Sequence, residues 1–391
     1  MTINEDTLQF LNNHLTADPL QLMLQAHKYP SVDMRWVAQQ IEGQHQAKVK
    51  WQMLAKEHRF WYPPKLNREQ SSSETTARWK SQLIPTDATL ADLTGGMGID
   101  SLYFAQQAQL VHYIEMNPKL CELAEHNFKT LKINNITVHN SDSIQWIAQQ
   151  PQPFHTLYID PARRDNNGHK VAAFEDCTPN LLNNLPLLLS HCQQLIVKAS
   201  PMIDLSTAEQ QLQSIQREII LAVKGECKEV LFICNTTSSE PTQISCYNLD
   251  TDQPPIHFTR VEEEQSSVNY TTTLQTYLYE PNAAIMKAGA FRTISAQYQL
   301  LKLARNTHLY TSTQLITDFP GRIFKIEQEM KLTPKTIASL IPSRKAHVIS
   351  RNYPVPAPTL QQKLKLHEGG EQYIIATTLA EKPIGFLCTR I

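Results

Sequence analysis

The sequence predicts an α/β protein: a doubly wound, largely parallel sheet of seven strands, preceded by a helical region and followed by a small α+β unit. Three observations carry this. Residues 1–60 hold only helical patterns, short apolar runs alternate with helix-length segments from Thr89 onward, and a polar, proline-bearing stretch separates that alternation from a last globular segment. At 391 residues the chain exceeds one typical domain. The boundaries are read as a helical region at 1–84, the sheet domain at 85–250 and the α+β domain at 277–391.

Near the N-terminus, Asp18-Pro19 reads as an N-cap followed by proline at the first helical position. Ser31 is the expected cap of a second helix, whose apolar residues Val32, Trp36, Val37 and Ile41 recur at helical spacing. A third amphipathic stretch, Val49 to Leu54, runs toward the break at Pro63 and Pro64. In SSSETTARWK, Ser71 and Glu74 have capping-box spacing; the functional alternative is a flap that carries Arg78 and Lys80 toward substrate.

The expected strands are TLADLT, LVHYIE, ITVHNS, HTLYID and QLIVKA, each followed by a helical pattern, and then EVLFICN and ISCYNL. Strands and helices alternating at this length imply parallel pairing with helices on both faces. Beyond Tyr277, Ile285 to Ala304 has helical spacing. AHVISRN, YIIATTL and IGFLCTR read as strands, with a helix at Thr359–Leu366.

The formal net charge is -1, so composition selects no polyanionic partner. Seven cysteines without a CxxC pair fit reduced thiols. No His/Cys/Asp cluster has metal-ligand spacing, so no metal is expected. The acidic, amphipathic start is unlike a signal peptide and no apolar run reaches membrane-spanning length, so a soluble cytoplasmic protein is expected.

Three of only 11 glycines, Gly95, Gly96 and Gly98, sit within four residues where the first strand passes into a helix. Glycine there permits a tight turn and close approach of backbone to a ligand. Acids mark the ends of the first four strands in order: Asp92, Glu115, Asp142 and Asp160. In an open α/β sheet the ligand site lies outside those ends, and a second-strand acid can accept ribose hydroxyls. An isolated glycine turn is commonly only a turn, and Asp142 could simply cap the next helix. The conjunction points to a nucleoside-containing cofactor. GGMGID lacks the third glycine of a dinucleotide site and puts Asp100 in the first helical turn, poor company for a diphosphate. S-adenosylmethionine has no phosphate and carries a sulfonium cation, which acids favour.

These residues carry a resemblance. Segment 85–240 is similar to the class I S-adenosylmethionine-dependent methyltransferases, whose sheet is Rossmann-like. LTGGMGIDS, EMNP, DPARR, EDCTPN, EQSSSETTARWK, YLYEPNAAIMKAGAF and GGEQYIIAT resemble a bacterial group of these enzymes with a THUMP-like C-terminal domain. The resemblance implies S-adenosyl-L-methionine as cofactor. Gly95, Gly96 and Gly98 would lie beside its methionine moiety and Asp92 near its amino group. Glu115, next to Met116, would hold the ribose, and Asp142, next to Ser143, the adenine amine.

Amino-group methyltransferases commonly end the fourth strand Asp/Asn-Pro-Pro-Tyr/Phe. Asp160-Pro161 matches the first half, and Ala162-Arg163 replaces the stacking aromatic. The 5-methyluridine enzymes share a similar Asp-Pro-Pro-Arg but need a cysteine after the fifth strand, where this chain has Lys198 to Pro201. Direct transfer remains, with Asp160, Pro161 and Arg163 as the candidate catalytic residues and Asp160 orienting the nucleophile or accepting its proton. Arg163 and Arg164 would contact an anionic group of the substrate, or else pair with Glu175 or Asp176.

Residues 319–391 hold eleven Lys/Arg against five Asp/Glu. Arg344, Lys345 and Arg351, with Tyr353 and His347 among them, suit RNA contact; a solvated charged face is the alternative. The leading expectation is methylation of rRNA or tRNA. A protein or small-molecule methyltransferase, and a catalytically silent cofactor- or RNA-binding protein, are the competing readings.

Overall fold

The computed structural model describes residues 3–162, 174, 177–212, 214–235 and 240–391. The described chain divides into two compact units, Met1–Gln216 with Leu231–Ser239, and Arg217–Val230 with Glu240–Ile391.

The first unit opens with helices α1 (Glu5–Asn13), α2 (Pro19–Leu24), α3 (Met34–Lys50), α4 (Lys65–Gln70) and α5 (Glu74–Ser81). Asp18 caps α2 with Pro19 at its first position. Asp33, not Ser31, caps α3: its Oδ1 accepts from the Trp36 N–H at 3.0 Å, while its own N–H donates to Thr7 Oγ1. A carboxylate two residues closer to the apolar stripe outcompetes the serine. The expected third helix is divided between the end of α3 and a 3-10 turn, Leu54–Lys56. Ser73, rather than Ser71, caps α5. Glu74 cannot close the expected box, because its Oε2 accepts from the Met53 N–H at 2.9 Å and its Oε1 from Arg78 at 2.6 Å.

The sheet follows: β1 (Thr89–Asp92), α6 (Ile99–Phe104), β2 (Leu110–Glu115), α7 (Pro118–Thr130), β3 (Ile136–Asn140), α8 (Ser143–Ala148), β4 (Phe154–Ile159), α9 (Leu181–Ser190), β5 (Cys192–Ala199) and α10 (Leu205–Leu212). The strands β3-β2-β1-β4-β5 are neighbours in that order and pair in parallel. The chain therefore winds outward from β1 to β3, then restarts at β4 on the other side, which makes the carboxyl ends of β1 and β4 the switch point. Trp51, Phe60, Tyr62 and Ala77 from the N-terminal segment share one buried cluster with Ile99, Tyr103, Tyr113 and Phe128.

The sheet continues through β7 (Glu226–Cys234), β6 (Ile215–Val223), β8 (Gln243–Leu249) and β9 (Ile256–Phe258), giving nine strands, with the division into units falling within β6 after Gln216 and within β7 after Val230. The sequence reading assigned EVLFICN and ISCYNL as the last two of seven strands and passed over IQREIILAV. That run is β6, hairpin-linked to β7 through Lys224 and Gly225, both at positive φ. ISCYNL is an eighth strand, parallel to β6.

The rest of the second unit comprises α11 (Arg260–Gln265), β10 (Asn269–Tyr270), β11 (Tyr277–Pro281), α12 (Ala283–Ala288), α13 (Phe291–Gln297), β12 (Leu301–Ala304), β13 (Thr307–Ser312), β14 (Gly321–Met330), α14 (Pro334–Leu340), β15 (His347–Ser350), α15 (Ala357–Lys363), β16 (Gln372–Leu379) and β17 (Lys382–Arg390). Its own sheet has the order β10-β12-β13-β11-β14-β17-β16-β15. The expected helix over 285–304 is two helices broken at Gly289 (φ 75°), followed by strand β12. Alternate residues of β16 serve two cores: Ile374 packs with Ile337 and Leu360 of α14 and α15, and Ile375 with Leu278 and Phe386.

One polar knot fastens α5 to the sheet. Lys80 is fully buried, with Nζ 2.9 Å from Asp100 Oδ1 and 2.8 Å from Ser72 Oγ. Asp100 Oδ2 accepts from Ser72 Oγ at 2.7 Å and from the Tyr158 hydroxyl at 2.8 Å. Burial alone would raise the Asp100 carboxyl; the Lys80 and Lys198 ammoniums, with hydrogen bonds from Lys80 and Ser72, outweigh it and hold it at about 2. A carboxyl held below its ordinary value of 3.8 contributes stability above that value, lost as pH falls toward 2. Removing one partner of a buried pair costs about 3–5 kcal/mol. Lys80→Met should therefore lower urea-unfolding stability at pH 7 by about 3 kcal/mol, the low end because Lys198 still faces Asp100. Lys80→Met/Asp100→Asn should recover part of that loss. Strict additivity of the two single substitutions would show that the pair is not coupled.

Candidate active site at the switch point

The site is assembled where β1 and β4 diverge. Asp92, the last residue of β1, is 1% exposed; its Oδ1 accepts from the Thr94 N–H at 3.1 Å and its Oδ2 from Ser101 Oγ at 2.6 Å. Burial pushes its carboxyl up to about 7, against those hydrogen bonds and with help from the nearby Asp100 and Asp160 charges.

The three glycines of the following turn serve different ends. A Cβ on Gly95 would lie 2.3 Å from the Tyr113 ring, and one on Gly98, at φ 79°, would lie 2.9 Å from Phe128. Both are demanded by packing. Gly96 also has positive φ (54°), but a Cβ there would meet only the Thr94 carbonyl oxygen, at 3.7 Å. This is the glycine with open space beside it. Its carbonyl accepts from the Tyr113 hydroxyl at 2.7 Å, and its N–H donates to Glu115 Oε2 at 3.0 Å.

Glu115, at the end of β2, is thus aimed by backbone on both oxygens, since Oε1 accepts from the Asn117 N–H at 2.8 Å. Met116 beside it is exposed. After β3, Asp142 caps α8 through its Oδ1 and the Gln145 N–H at 2.8 Å, and Ser143 is buried as the first residue of that helix.

Asp160 follows β4. Its N–H donates to Thr94 Oγ1 at 2.7 Å, tying it to the β1 turn, and its Oδ2 accepts from Lys198 Nζ at 2.5 Å. Lys198, near the end of β5, also donates to Ser72 Oγ at 3.1 Å. Asp160 therefore joins the knot that holds Lys80 and Asp100. Pro161 is buried, and Ala162 is pinned by paired backbone hydrogen bonds with Thr178, 2.8 and 3.0 Å long.

The structure thus brings Asp92, Gly95, Gly96, Gly98, Glu115, Met116, Asp142, Ser143, Asp160 and Pro161 to the carboxyl ends of β1 to β4. Arg163 and Arg164, and their candidate partners Glu175 and Asp176, lie outside the described residues. Arg78 pairs with Glu74 on the surface of α5. Lys80 is committed to Asp100 rather than turned outward. In the second unit, the Arg344 guanidinium donates to the Pro334 and Leu364 carbonyls, Lys345 is exposed, and Arg351 pairs with the buried Glu280, which Arg322 also binds. Sequence reasoning missed Lys198, Ser72 and Tyr158. The available signal was a lysine closing the otherwise apolar run QLIVKA.

Comparison with known proteins places this geometry. Residues 277–320 match a ferredoxin-like domain and residues 321–390 a THUMP domain-like family. The crystal structure of a candidate methyltransferase from Porphyromonas gingivalis W83 is 30% identical, covers 100% of both chains and superposes with a TM-score of 0.89. An uncharacterized RNA methyltransferase from Mycoplasma mobile is 34% identical over 84 residues, 22% of this chain. The chain spans 23% of the length of that curated relative. With a parallel sheet of this order, a glycine turn after β1 and a matching relative along its whole length, the chain belongs to the class I methyltransferases that carry a THUMP-like C-terminal domain.

Proposed function

We propose that the protein transfers a methyl group from S-adenosylmethionine directly to RNA. The observation that carries this reading is Glu115, whose carboxylate is fixed by the Gly96 and Asn117 N–H groups at the same sheet edge as Asp160. A carboxylate so held suits the two hydroxyls of a ribose. The residues around it fit a cation-bearing nucleoside better than a diphosphate, because Asp92 and Asp100 flank the turn where phosphates would need N–H groups and positive charge. Gly96 leaves room for the methionine moiety, Asp92 takes its amino group, and Asp142 takes the adenine amine through the oxygen not used in capping.

When bound, the cofactor supplies an electrophilic methyl group on a sulfonium centre. The remaining work belongs to this chain. Asp160 orients the acceptor and takes up its proton, while the Lys198 ammonium fixes that carboxylate. Arg163 and Arg164 supply cations for a substrate phosphate. The RNA assignment is supported by the Mycoplasma relative's name and by the basic surplus of residues 319–391, with Lys345 exposed there.

Methyl-labelled S-adenosylmethionine, incubated with extracts of cells lacking the gene, should label RNA. Label in protein or metabolites alone would overturn the RNA assignment, and binding without transfer would make the protein a silent cofactor binder. Asp160→Asn should keep cofactor affinity within a few-fold and lower transfer by about 100-fold or more; undiminished transfer would remove Asp160 from the chemistry.

Cofactor binding should also depend on pH. An ammonium ligand favours ionised Asp92, whose carboxyl sits at about 7 without it, so affinity should rise between pH 6 and 7.5. Isothermal titration calorimetry of wild type against Asp92→Asn checks this. The same rise in the variant would show that another group is responsible.

A further inference from the structure

We propose that the methyl acceptor at this site is a hydroxyl, the 2′-OH of an RNA ribose, and that Lys198 positions Asp160 for it; this rests on the RNA-methyltransferase reading above. The Lys198 ammonium is 2.5 Å from Asp160 Oδ2 and 3.1 Å from Ser72 Oγ. A second ammonium, Lys80, is 2.8 Å from the same hydroxyl. Two ammoniums thus share the Ser72 hydroxyl, each with a carboxylate of its own, Asp100 for Lys80 and Asp160 for Lys198, and both lysine side chains are at least nine-tenths buried.

That arrangement bears on where the acceptor's proton goes. An amine can attack through its lone pair and shed its proton afterwards, so it needs no base in the transfer itself. A hydroxyl must pass its proton to a base as it attacks, and Asp160, held on one oxygen by Lys198 and through its N–H by Thr94, is placed to take it.

The sequence after Asp160 points the same way: no Phe, Tyr or Trp follows until Phe174, which is buried. Enzymes acting on a base extract it from the stack and hold it between aromatic or apolar side chains. Here Asp160-Pro161 is followed by Ala162, whose backbone is fixed to Thr178. The one tyrosine near the end of β4, Tyr158, is 1% exposed and spends its hydroxyl on Asp100. A ribose hydroxyl needs no such platform, because it already projects from the RNA backbone.

In the transfer the hydroxyl oxygen bonds to the methyl carbon while the carbon–sulfur bond breaks. The bonding pair leaves with sulfur, which becomes a neutral thioether. The hydroxyl proton passes to the Asp160 carboxylate and then to water, and Lys198 remains an ammonium throughout.

The test is the chemistry of the product. RNA from cells lacking the gene is methylated with labelled S-adenosylmethionine and digested with alkali, which cannot cleave beside a 2′-O-methyl group. Label in alkali-resistant dinucleotides is expected. Label in mononucleotides would overturn the hydroxyl while leaving the RNA methyltransferase standing, and label outside RNA, or none, would overturn both.

For Lys198, the Lys198→Met variant should lose about 100-fold in kcat. Its KM for RNA and its calorimetric affinity for S-adenosylmethionine should stay within a few-fold, and Lys198→Arg should recover part of the rate. Unchanged kcat, or stability and affinity falling together with kcat, would make Lys198 structural. Should Lys198→Met fail to fold, wild type against Lys198→Arg decides: the arginine fork should retain affinity yet lower kcat measurably, and equal kcat would overturn the positioning role.

Discussion

The Ser72 hydroxyl sits between two buried ammoniums and a carboxylate, and the whole carboxyl edge of the sheet is organised by it. It accepts from Lys80 and Lys198 and donates to Asp100. Taking each ion out of water costs several kcal/mol, which only close pairing with full hydrogen bonding offsets. Every member is therefore committed. Lys80 cannot swing outward without leaving Asp100 unpaired in the interior, and Lys198 cannot move without releasing Asp160. The segment that sequence reading allowed as a flap is instead clamped, with the Trp51 indole N–H donating to the Ser72 carbonyl at 2.7 Å from behind. The segment from Ser72 through α5 thus packs into the sheet edge that carries the candidate site.

A second constraint meets the first at the glycine turn. Tyr113 of β2 occupies the space that a side chain at Gly95 would need, and its hydroxyl holds the Gly96 carbonyl. The turn is consequently fixed from beneath by a ring, which leaves the Gly96 N–H to orient Glu115. Thr94 completes the connection: its hydroxyl accepts from the Asp160 N–H, which ties the β1 turn to the end of β4. Glu115 and Asp160, the proposed ribose and acceptor carboxylates, are held through a few residues of the same turn. Direct transfer between two bound molecules depends on such fixed separation.

What the sequence revealed follows from the range of the forces involved. The alternation from β1 to β5 is a local signal, because each strand and each helix buries its own periodic face, and the acids at the strand ends are legible for the same reason. Caps were misplaced by two residues at Ser31 and Ser71, where a neighbouring side chain with a better partner won. β6 was passed over because its polar start, IQRE, hides an apolar run, and Gly289 broke a helix that periodicity alone would continue. Lys198 and Ser72 could not be joined on paper. They lie 126 residues apart, and neither has a function until the fold brings them together.

The acids at the edge then divide by what faces them. Asp92, Asp100, Glu115, Asp142 and Asp160 together would repel a polyanion if all were charged and bare. Asp100 is neutralised by Lys80 and Asp160 by Lys198, while Asp92 at about 7 carries a proton for much of the time near neutral pH. Among the described residues no ion pair joins a lysine or arginine to Glu115 or Asp142, and in the proposed reading these are the two that meet hydroxyl and amine donors of a cationic cofactor. The buried lysines therefore do more than hold side chains in place. In the proposed reading they would make the acceptor side electrically tolerable to RNA while leaving the cofactor side acidic, so that one sheet edge could bind partners of opposite charge.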